Sequence, residues 1–406
     1  MASLALLLAC GPSVSPVTSE PALDVEALTL DGDERKTRVA MTLTSGVPVS
    51  VFTLADPYRL VVDLPKAGFR LPADSGRKGK GLVAAYRFGL FAADRSRVVL
   101  DTRGPVLIES ADMVALAGGR VRLDLVVGKT DAAIFGAGTG PSRDAASAAK
   151  APPANANGEA EAQRARSAGR QKPVIVIDPG HGGIDPGALG SGSIYEKDLV
   201  LEVARRIAGA LRETGRYDVH MTRSSDVFVA LGERLRISQQ LGSDLFISLH
   251  ADALADTSVA ASVRGATVYT LAERASDRLA QQMADKENAA DLIAGLDTAS
   301  MAGQDDVRDI LFDLLQRETA TFASDFSAVL LARLKAGVRL ARDPQRSASF
   351  KVLKQANTPA VLVELGYLSN PEDERTMRSE AWQRDVTAAM VKAIGDYFAR
   401  RRTATR

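Results

Sequence analysis

The chain contains a single cysteine, Cys10, among 406 residues, so it cannot form an internal disulfide. It also lacks an excess of charge of one sign, because 51 Lys and Arg residues are balanced by 50 Asp and Glu residues. This balance gives no electrostatic reason to expect nucleic acid or an anionic membrane as a partner. No stretch approaches the roughly 18 consecutive apolar residues of a transmembrane helix, so we expect no membrane span.

The residues that are present give the composition of an ordinary soluble protein, with 46% hydrophobic and 25% charged residues. Whole-chain disorder, a collagen-like fibre and a polytopic membrane protein are therefore excluded. At roughly 100 to 200 residues per domain, the length suits two domains. A short apolar run, Leu4–Leu8, lies near the start and is not preceded by Lys or Arg. We interpret residues 1–16 as the remnant of an export signal, with a fortuitous apolar terminus as the alternative.

Between Phe135 and Val174 the sequence contains no Val, Ile, Leu, Met or aromatic residue. Such a stretch cannot form a hydrophobic core, so residues 136–172 are predicted to be a flexible linker. The linker divides the chain into two parts, residues 22–130 and residues 173–400, which can be interpreted separately.

The N-terminal part has apolar residues at every second position, as in Val39, Met41 and Leu43. This period predicts β-strands, and the turns between them are spaced as in an all-β sandwich. Residues 56–63 and 94–101 share the pattern Asp-x-x-Arg followed by apolar-Val-apolar-Asp, which suggests two similar halves. This part has no His or Cys and no nucleophile paired with a base, so we expect binding rather than chemistry.

These features resemble the AMIN domain, the localisation module that precedes the catalytic domain in bacterial cell-wall amidases. The resemblance implies a domain that binds cell wall and concentrates the enzyme at division sites. The repeated arginines, Arg59 and Arg97, could contact the ligand, or they could pair with Asp63 and Asp101 at a strand edge. Both interpretations stay open on the sequence alone.

The C-terminal part alternates short apolar strands with amphipathic helices, which predicts a doubly wound, mostly parallel α/β sheet. The predicted strands are Pro173–Ile177, Tyr217–Met221, Leu245–Leu249, Ala266–Leu271 and Ala360–Val363. A helix begins at Glu196, with Leu199, Val203 and Ile207 on one face. Sheets of this kind bind ligands at the carboxyl ends of their strands.

Four residues that can bind metal or carry protons fall at that edge. His181 follows the first strand, His250 follows the third, Glu364 follows the last, and Glu196 begins the first helix. Two imidazoles and one carboxylate with an open fourth position form the ligand set of a hydrolytic zinc site, and Glu364 is then free to relay a proton. Taken alone, Glu196 could be a first-turn acid that favours the helix dipole.

Other polar residues near these positions have two possible roles. Asp178, Asp185 and Asp252 could orient the imidazoles, or they could be ordinary turn residues. His220, inside the second strand, is interpreted as structural. Several glycines near His181 suit a backbone that bends tightly around a metal or substrate: Gly180, Gly182, Gly183 and Gly187.

The same residues carry a specific resemblance, in the segments 174–188, 196–198, 245–253 and 363–370. Together they resemble the zinc-dependent N-acetylmuramoyl-L-alanine amidases of bacterial cell division. The resemblance implies one Zn²⁺ per chain on His181, Glu196 and His250, with Glu364 as the catalytic carboxylate. It implies peptidoglycan as the substrate, cut between N-acetylmuramic acid and L-alanine, and a location in the periplasm at the septum. We expect a monomer.

Two other functions are compatible with part of this pattern. A catalytically silent wall-binding protein would be expected to have lost a ligand or the carboxylate, and none is lost here. A zinc hydrolase acting on another amide would keep the same residues. Identifying the products formed from sacculi by mass would separate these possibilities.

Residues Arg274–Arg346 are predicted to form a helical insertion before the last strand. A row of apolar residues every four positions predicts one long helix: Phe322, Phe326, Leu330 and Leu334. Upstream, the row Leu279 and Met283 continues to Glu287, which could be a helix edge or could reach the metal. The resemblance implies autoinhibition by such a helix and release by an activator that contains a coiled coil and a degenerate peptidase-like domain. Glu273 is a weaker candidate for the blocking carboxylate.

Overall fold

The computed structural model describes residues 23–72, 74–135, 172–190, 192, 194–254, 263–296, 310–355 and 357–404. The predicted export segment 1–16 and all but the last residue of the predicted linker 136–172 lie outside the described residues. Within them, no helix is both long enough and apolar enough to cross a membrane.

The N-terminal part consists of two sheets that face each other, in which every neighbouring pair of strands but one is antiparallel, and it confirms the predicted all-β sandwich. One sheet has the order β5-β1-β2-β9-β8 and the other β3-β4-β7-β6. Alternate side chains of both sheets, such as Met41, Leu60, Leu100 and Leu123, meet in one buried core. The strands are β1 (Asp24–Gly32), β2 (Lys36–Leu43), β3 (Ser50–Leu54), β4 (Arg59–Pro65), β5 (Gly68–Phe69), β6 (Val83–Ala92), β7 (Arg95–Thr102), β8 (Val106–Ala115) and β9 (Val121–Lys129).

The repeated sequence pattern lies on neighbouring strands. β4 and β7 pair antiparallel, with Arg59 opposite Asp101 and Asp63 opposite Arg97. The two copies are therefore related by a local two-fold axis between the strands. Both arginines are buried.

The C-terminal part is a six-stranded sheet with the order β11-β10-β12-β15-β13-β14, which confirms the predicted α/β class. Every neighbouring pair is parallel except β13 and β15. The strands are β10 (Val174–Pro179), β11 (Asp218–Met221), β12 (Leu245–His250), β13 (Ala266–Leu271), β14 (Leu340–Ala348) and β15 (Ala360–Glu364).

Helices cover both faces of this sheet. They are α1 (Glu196–Glu213), α2 (Leu231–Leu241), α3 (Arg278–Glu287), α4 (Ala290–Ile293), α5 (Ile310–Leu334), α6 (Pro371–Met377) and α7 (Glu380–Ala404). One side chain of β12, Ile247, packs with α1, α5 and α7, while its neighbour Phe246 packs on the other face with α2 and α3. Because both faces are buried, the strands are continuous apolar runs.

The predicted helical insertion is present as α3, α4 and α5, but its predicted end is wrong. The chain from Leu340 onward forms β14, an edge strand, although Pro344 interrupts its pattern. An edge strand tolerates proline because one of its sides makes no ladder hydrogen bonds. Moreover, Phe326, Leu330 and Leu334 of α5 are fully buried in the main core. The segment is therefore part of the domain and cannot be removed as a unit.

Candidate metal centre

Four buried side chains from four different elements converge at the carboxyl edge of the sheet. His181 lies in the loop after β10, Glu196 is the first residue of α1, His250 is the last residue of β12 and Glu287 is the last residue of α3. One potential ligand atom from each lies within 4.8 Å of all the others. The structure thus brings together the three predicted zinc ligands and the predicted blocking carboxylate.

Glu196 is held between the two imidazoles. Its Oε1 lies 3.1 Å from His181 Nε2 and 3.2 Å from His250 Nδ1. The carboxylate also accepts hydrogen bonds from the backbone amides of Ala188 and Ala251, at 2.8 and 2.9 Å. These amides fix the carboxylate, so its position does not depend on the histidines alone.

Asp185 fixes the ring of His181. Its Oδ2 lies 2.8 Å from His181 Nδ1, and this contact leaves Nε2 directed towards the other ligands. Burial opposes a charged imidazole, but the carboxylates of Asp185, Glu196 and Glu287 outweigh it and raise the pKa of His181 well above its ordinary value. The site is therefore strongly attractive to positive charge. Of the two roles left open for Asp185, the orienting one agrees with this contact.

Glu364 lies beside the group of four and is not part of it. It is directly opposite His250 in the pairing of β12 and β15. Its Oε2 accepts a hydrogen bond from the amide of Asp252 at 3.0 Å, whereas its buried Oε1 has no hydrogen-bond partner. Burial raises the pKa of Glu364 to about 8. A carboxyl group with such a pKa can both accept and donate a proton near neutral pH.

Two buried arginines, which the sequence analysis missed, hold the loop that carries His181. Arg234 donates to the carbonyls of Pro179 and His181 at 2.7 and 2.8 Å, and Arg223 donates to the carbonyl of Gly180 at 2.8 Å. Arg234 also binds Asp178 at 2.7 Å, so Asp178 acts on the loop through Arg234. The signal in the sequence that could have identified Arg234 is its spacing of three residues from Leu231, which places both on the buried face of α2.

The loop needs this support because its backbone is unusual. His181 has a φ of 57°, a left-handed conformation that non-glycine residues adopt rarely. At Gly180, a Cβ atom would lie 2.4 Å from Cε1 of His250, so only glycine fits there. The predicted close approach of the backbone is therefore observed at Gly180, and the predicted bend is observed at Gly182, Gly183 and Gly187, which all have a positive φ.

The donor set fits zinc. His181 Nε2 and Glu287 Oε1 are buried without a hydrogen-bond partner, and both belong to the converging group. Buried polar atoms rarely lack partners, and a cation among them would satisfy both. Imidazole nitrogens and carboxylate oxygens without thiolates are the ligands of hydrolytic zinc sites.

Glu287 lies against both imidazoles. Its Oε2 lies 3.4 Å from His181 Nε2 and 3.1 Å from His250 Nδ1. The cavity that remains beside these residues has a volume of about 10 Å³, which is room for about one water molecule. The alternative candidate, Glu273, is wrong, because it is exposed and lies outside the converging group.

The remaining predicted residues lie outside the group of four. His220 pairs with Asp218 at 3.0 Å on β11, in agreement with a structural role. Asp252 forms an ion pair with Lys286, the residue that precedes Glu287. Sequence reasoning missed Lys286, because one lysine on a helix surface carries no signal of its own.

The sequence matches the family model described as N-acetylmuramoyl-L-alanine amidase over residues 175–396 and the model of the AMIN domain over residues 27–125. The amidase AmiC of Escherichia coli O6:H1 is 29% identical over 404 residues, which cover 95% of this chain and 92% of that protein. AmiA of Escherichia coli K12 is 36% identical over 228 residues, 56% of this chain and 76% of that protein. The solved structure of the amidase AmiC2 of Nostoc punctiforme is 25% identical, with a TM-score of 0.42, and covers 57% of this chain and 99% of that one. Because the first model spans more than half of the sequence, the chain belongs to the N-acetylmuramoyl-L-alanine amidase family and carries an N-terminal AMIN domain.

Proposed function

We propose that the chain is a zinc-dependent hydrolase that cuts the amide bond between N-acetylmuramic acid and L-alanine in peptidoglycan. The observation that carries this proposal is the convergence of His181, Glu196 and His250, with Glu364 beside them, in a member of this family. One Zn²⁺ per chain would be held by the first three residues.

A bound zinc ion supplies Lewis acidity, which polarises a carbonyl group and acidifies water. The other steps belong to the chain. Glu364 accepts the proton of the attacking water and donates it to the amino group of L-alanine as that group leaves. Its buried position and its pKa of about 8 suit both transfers. Asp185 keeps the imidazole of His181 in the ligating orientation.

The same proposal includes autoinhibition by Glu287. The carboxylate occupies the side of the imidazoles that a substrate carbonyl must reach, and the neighbouring cavity is too small for a muramyl peptide. Two contacts hold the end of α3 in this place. Lys286 pairs with Asp252, and the side chain of Asn288 donates to the carbonyl of Ser349 at 2.8 Å. These contacts stabilise a closed state, in which Glu287 lies against the imidazoles. A ligand shifts the equilibrium to an open state only if it binds the open state more tightly than the closed one.

The proposed substrate and the family also support a periplasmic location and an activator protein as partner. We place the enzyme in the periplasm at the septum, where it would split the cell wall between daughter cells. In this view residues 22–130 bind the wall, residues 136–172 link the domains and residues 173–400 carry the chemistry. An activator with a coiled coil and a degenerate peptidase-like domain would open the site.

The test is hydrolysis of purified sacculi by the full chain loaded with zinc, with products identified by mass. Cleavage by this enzyme releases stem peptides that begin with a free amino group of L-alanine and leaves glycan strands without peptides. Because the wild-type chain is closed, Glu287→Ala is assayed alongside it. Products cut at any other bond, or no products from either form, would overturn the proposal.

A further inference from the structure

The N-terminal domain contacts the segment that follows Glu287, and it does so with arginines. Three guanidinium groups from β4, β6 and β7 converge on four successive backbone carbonyls at the end of α4. Arg59 donates to Leu292 at 2.6 Å, Arg87 donates to Ile293 at 2.5 Å, and Arg97 donates to Ala294 and Gly295 at 3.1 and 2.9 Å.

Leu292 and Ile293 are the last two residues of α4, and Ala294 and Gly295 follow it directly. Carbonyls at and just after a helix end often lack a partner within the helix, and buried carbonyls need hydrogen bonds. Positive charge at the carboxyl end of a helical turn is favourable, and hydrogen bonds from charged donors are stronger than neutral ones. The arginines are also fixed within their own domain. Arg97 forms a fork with Asp63 at 2.6 and 2.8 Å, and Arg87 forms one with Asp101 at 2.5 and 3.1 Å. The domain thus presents a preorganised set of donors.

A second contact joins the N-terminal domain to the loop that carries His181. The carbonyl of Leu90 on β6 accepts hydrogen bonds from the amides of Ile184 and Phe228, at 3.2 and 3.3 Å. The side chains around it form one buried cluster with members from both domains: Phe52, Leu54, Val61, Val99, Ile184, Phe228 and Ala294. The contact is close enough that a Cβ atom on Gly89 would lie 2.6 Å from the carbonyl carbon of Gly183.

We infer that the N-terminal domain is a clamp that holds Glu287 in the metal centre, in addition to any role in binding cell wall. The clamped carbonyls begin only a few residues after Glu287, and hydrogen bonds from Ala289 to Lys286 and from Ile293 to Ala289 join α3 to α4. Movement of Glu287 away from the imidazoles therefore pulls on the arginine contacts. Docking of the N-terminal domain on the catalytic domain and closure of the site by Glu287 are therefore coupled. A ligand that binds only the undocked N-terminal domain would open the site. This inference rests on the proposed autoinhibition.

The test uses the full chain and three single substitutions. Gly89→Ala places a methyl group against the backbone of Gly183. The three atoms nearest to this methyl group all belong to the catalytic domain. Arg87→Ala removes one of the donors. Gly104→Ala is the matched control, because a Cβ atom there meets nothing within 4 Å.

Two quantities are measured, the amide hydrogen exchange of residues 290–296 and the basal hydrolysis of sacculi without any partner. For Gly89→Ala and Arg87→Ala we expect faster exchange in this segment and at least a roughly fivefold rise in basal rate, the lower end of typical coupling between sites. Gly104→Ala should match the wild type in both. Unchanged exchange of residues 290–296 in both variants would overturn the clamp, whatever the activity. If exchange rises and Glu287→Ala gains activity while Gly89→Ala and Arg87→Ala do not, the coupling between docking and closure is overturned. If exchange rises and none of the three variants gains activity, the contact between the domains stands and the proposed autoinhibition fails.

Discussion

The carboxylate of Glu287 lies 3.1 Å from Nδ1 of His250, on the side of the imidazole that also faces Glu196. A residue of a helix after β13 thus completes a group whose other members come from the first half of the catalytic domain. This relationship makes the site testable by removing either a proposed ligand or the carboxylate that we propose to close it.

Glu287→Ala is expected to raise basal hydrolysis of sacculi by roughly five- to 150-fold, the range of typical couplings between a switch and a site. The substitution removes the carboxylate that we propose to compete with substrate and leaves His181, Glu196 and His250 in place. The measurement is the rate of peptide release without an activator. Glu273→Ala, an exposed acid upstream of the same helix, is the control and should leave the rate unchanged. Equal low rates for both variants would contradict the blocking role.

Glu364→Gln is expected to keep zinc and lose about 10²- to 10⁴-fold in turnover, because an amide side chain cannot relay a proton. Zinc content by elemental analysis and thermal unfolding should match the wild type, since Glu364 is not among the four converging ligands. To avoid the closed state, the comparison is made in the Glu287→Ala background. A variant that unfolds, or one that stays fully active, would show instead that Glu364 is a structural carboxylate.

Asp185→Asn is expected to weaken zinc binding by about 10- to 100-fold, the usual effect of removing a group that orients a ligating imidazole. The readout is competition for zinc with a chelator of known affinity. Asp218→Asn is a matched control, because Asp218 pairs with His220 at 3.0 Å outside the site. If both variants bind zinc as the wild type does, Asp185 does not position the ligand.

The metal-free chain is expected to lose thermal stability as the pH rises from 6 to 8. Burial opposes charge on His181 and His250, but nearby carboxylates raise the pKa of each above 6.5, and burial raises the pKa of Glu364 from 4.5 to about 8. In this range the folded chain keeps protons that the unfolded chain releases, so the free energy of unfolding falls with pH. Zinc requires deprotonated ligands, so its stabilising effect grows over the same range.

The measurement is the unfolding temperature at pH 6, 7 and 8, with a chelator and with zinc. Glu364→Gln removes one of the titrating groups and should make the decline of the metal-free chain shallower. A difference between the zinc-loaded and metal-free chains that shrinks as the pH rises would contradict this account.

The convergence of His181, Glu196, His250 and Glu287 could be predicted because each residue occupies a position that local rules define. His250 and Glu364 end parallel strands, and such ends meet at one edge of a sheet, so their proximity follows from the strand assignment alone. Glu287 was found because it continues the apolar row of Leu279 and Met283 on one helix face. The first inference needs only the assignment of the strands to one parallel sheet, and the second needs only the period of one helix.

Other features depend on contacts between residues far apart in the chain, and local patterns do not encode them. Arg59 was expected to contact either a ligand or an aspartate, yet it donates to Leu292, which lies 233 positions away. The strand β14 was missed because Pro344 and its charged neighbours hide the pattern of an edge strand. The left-handed backbone of His181 depends on the carbonyl contacts of Arg223 and Arg234, which come from elsewhere in the fold.

The hydrogen bonds that Leu90 makes to Ile184 and Phe228 use main-chain atoms only. Such bonds do not depend on which side chains the three residues carry, so relatives could replace all three and keep the domains docked. Gly89 and Gly183, in contrast, cannot accept a side chain freely. A Cβ atom on Gly183 would lie 1.8 Å from the carbonyl oxygen of Leu90. Gly183 has a φ of 55° and needs glycine for its own backbone, so Gly89 is the informative position. In comparisons among members of this family, retention of Gly89 would identify the chains in which the AMIN domain rests against the catalytic loop.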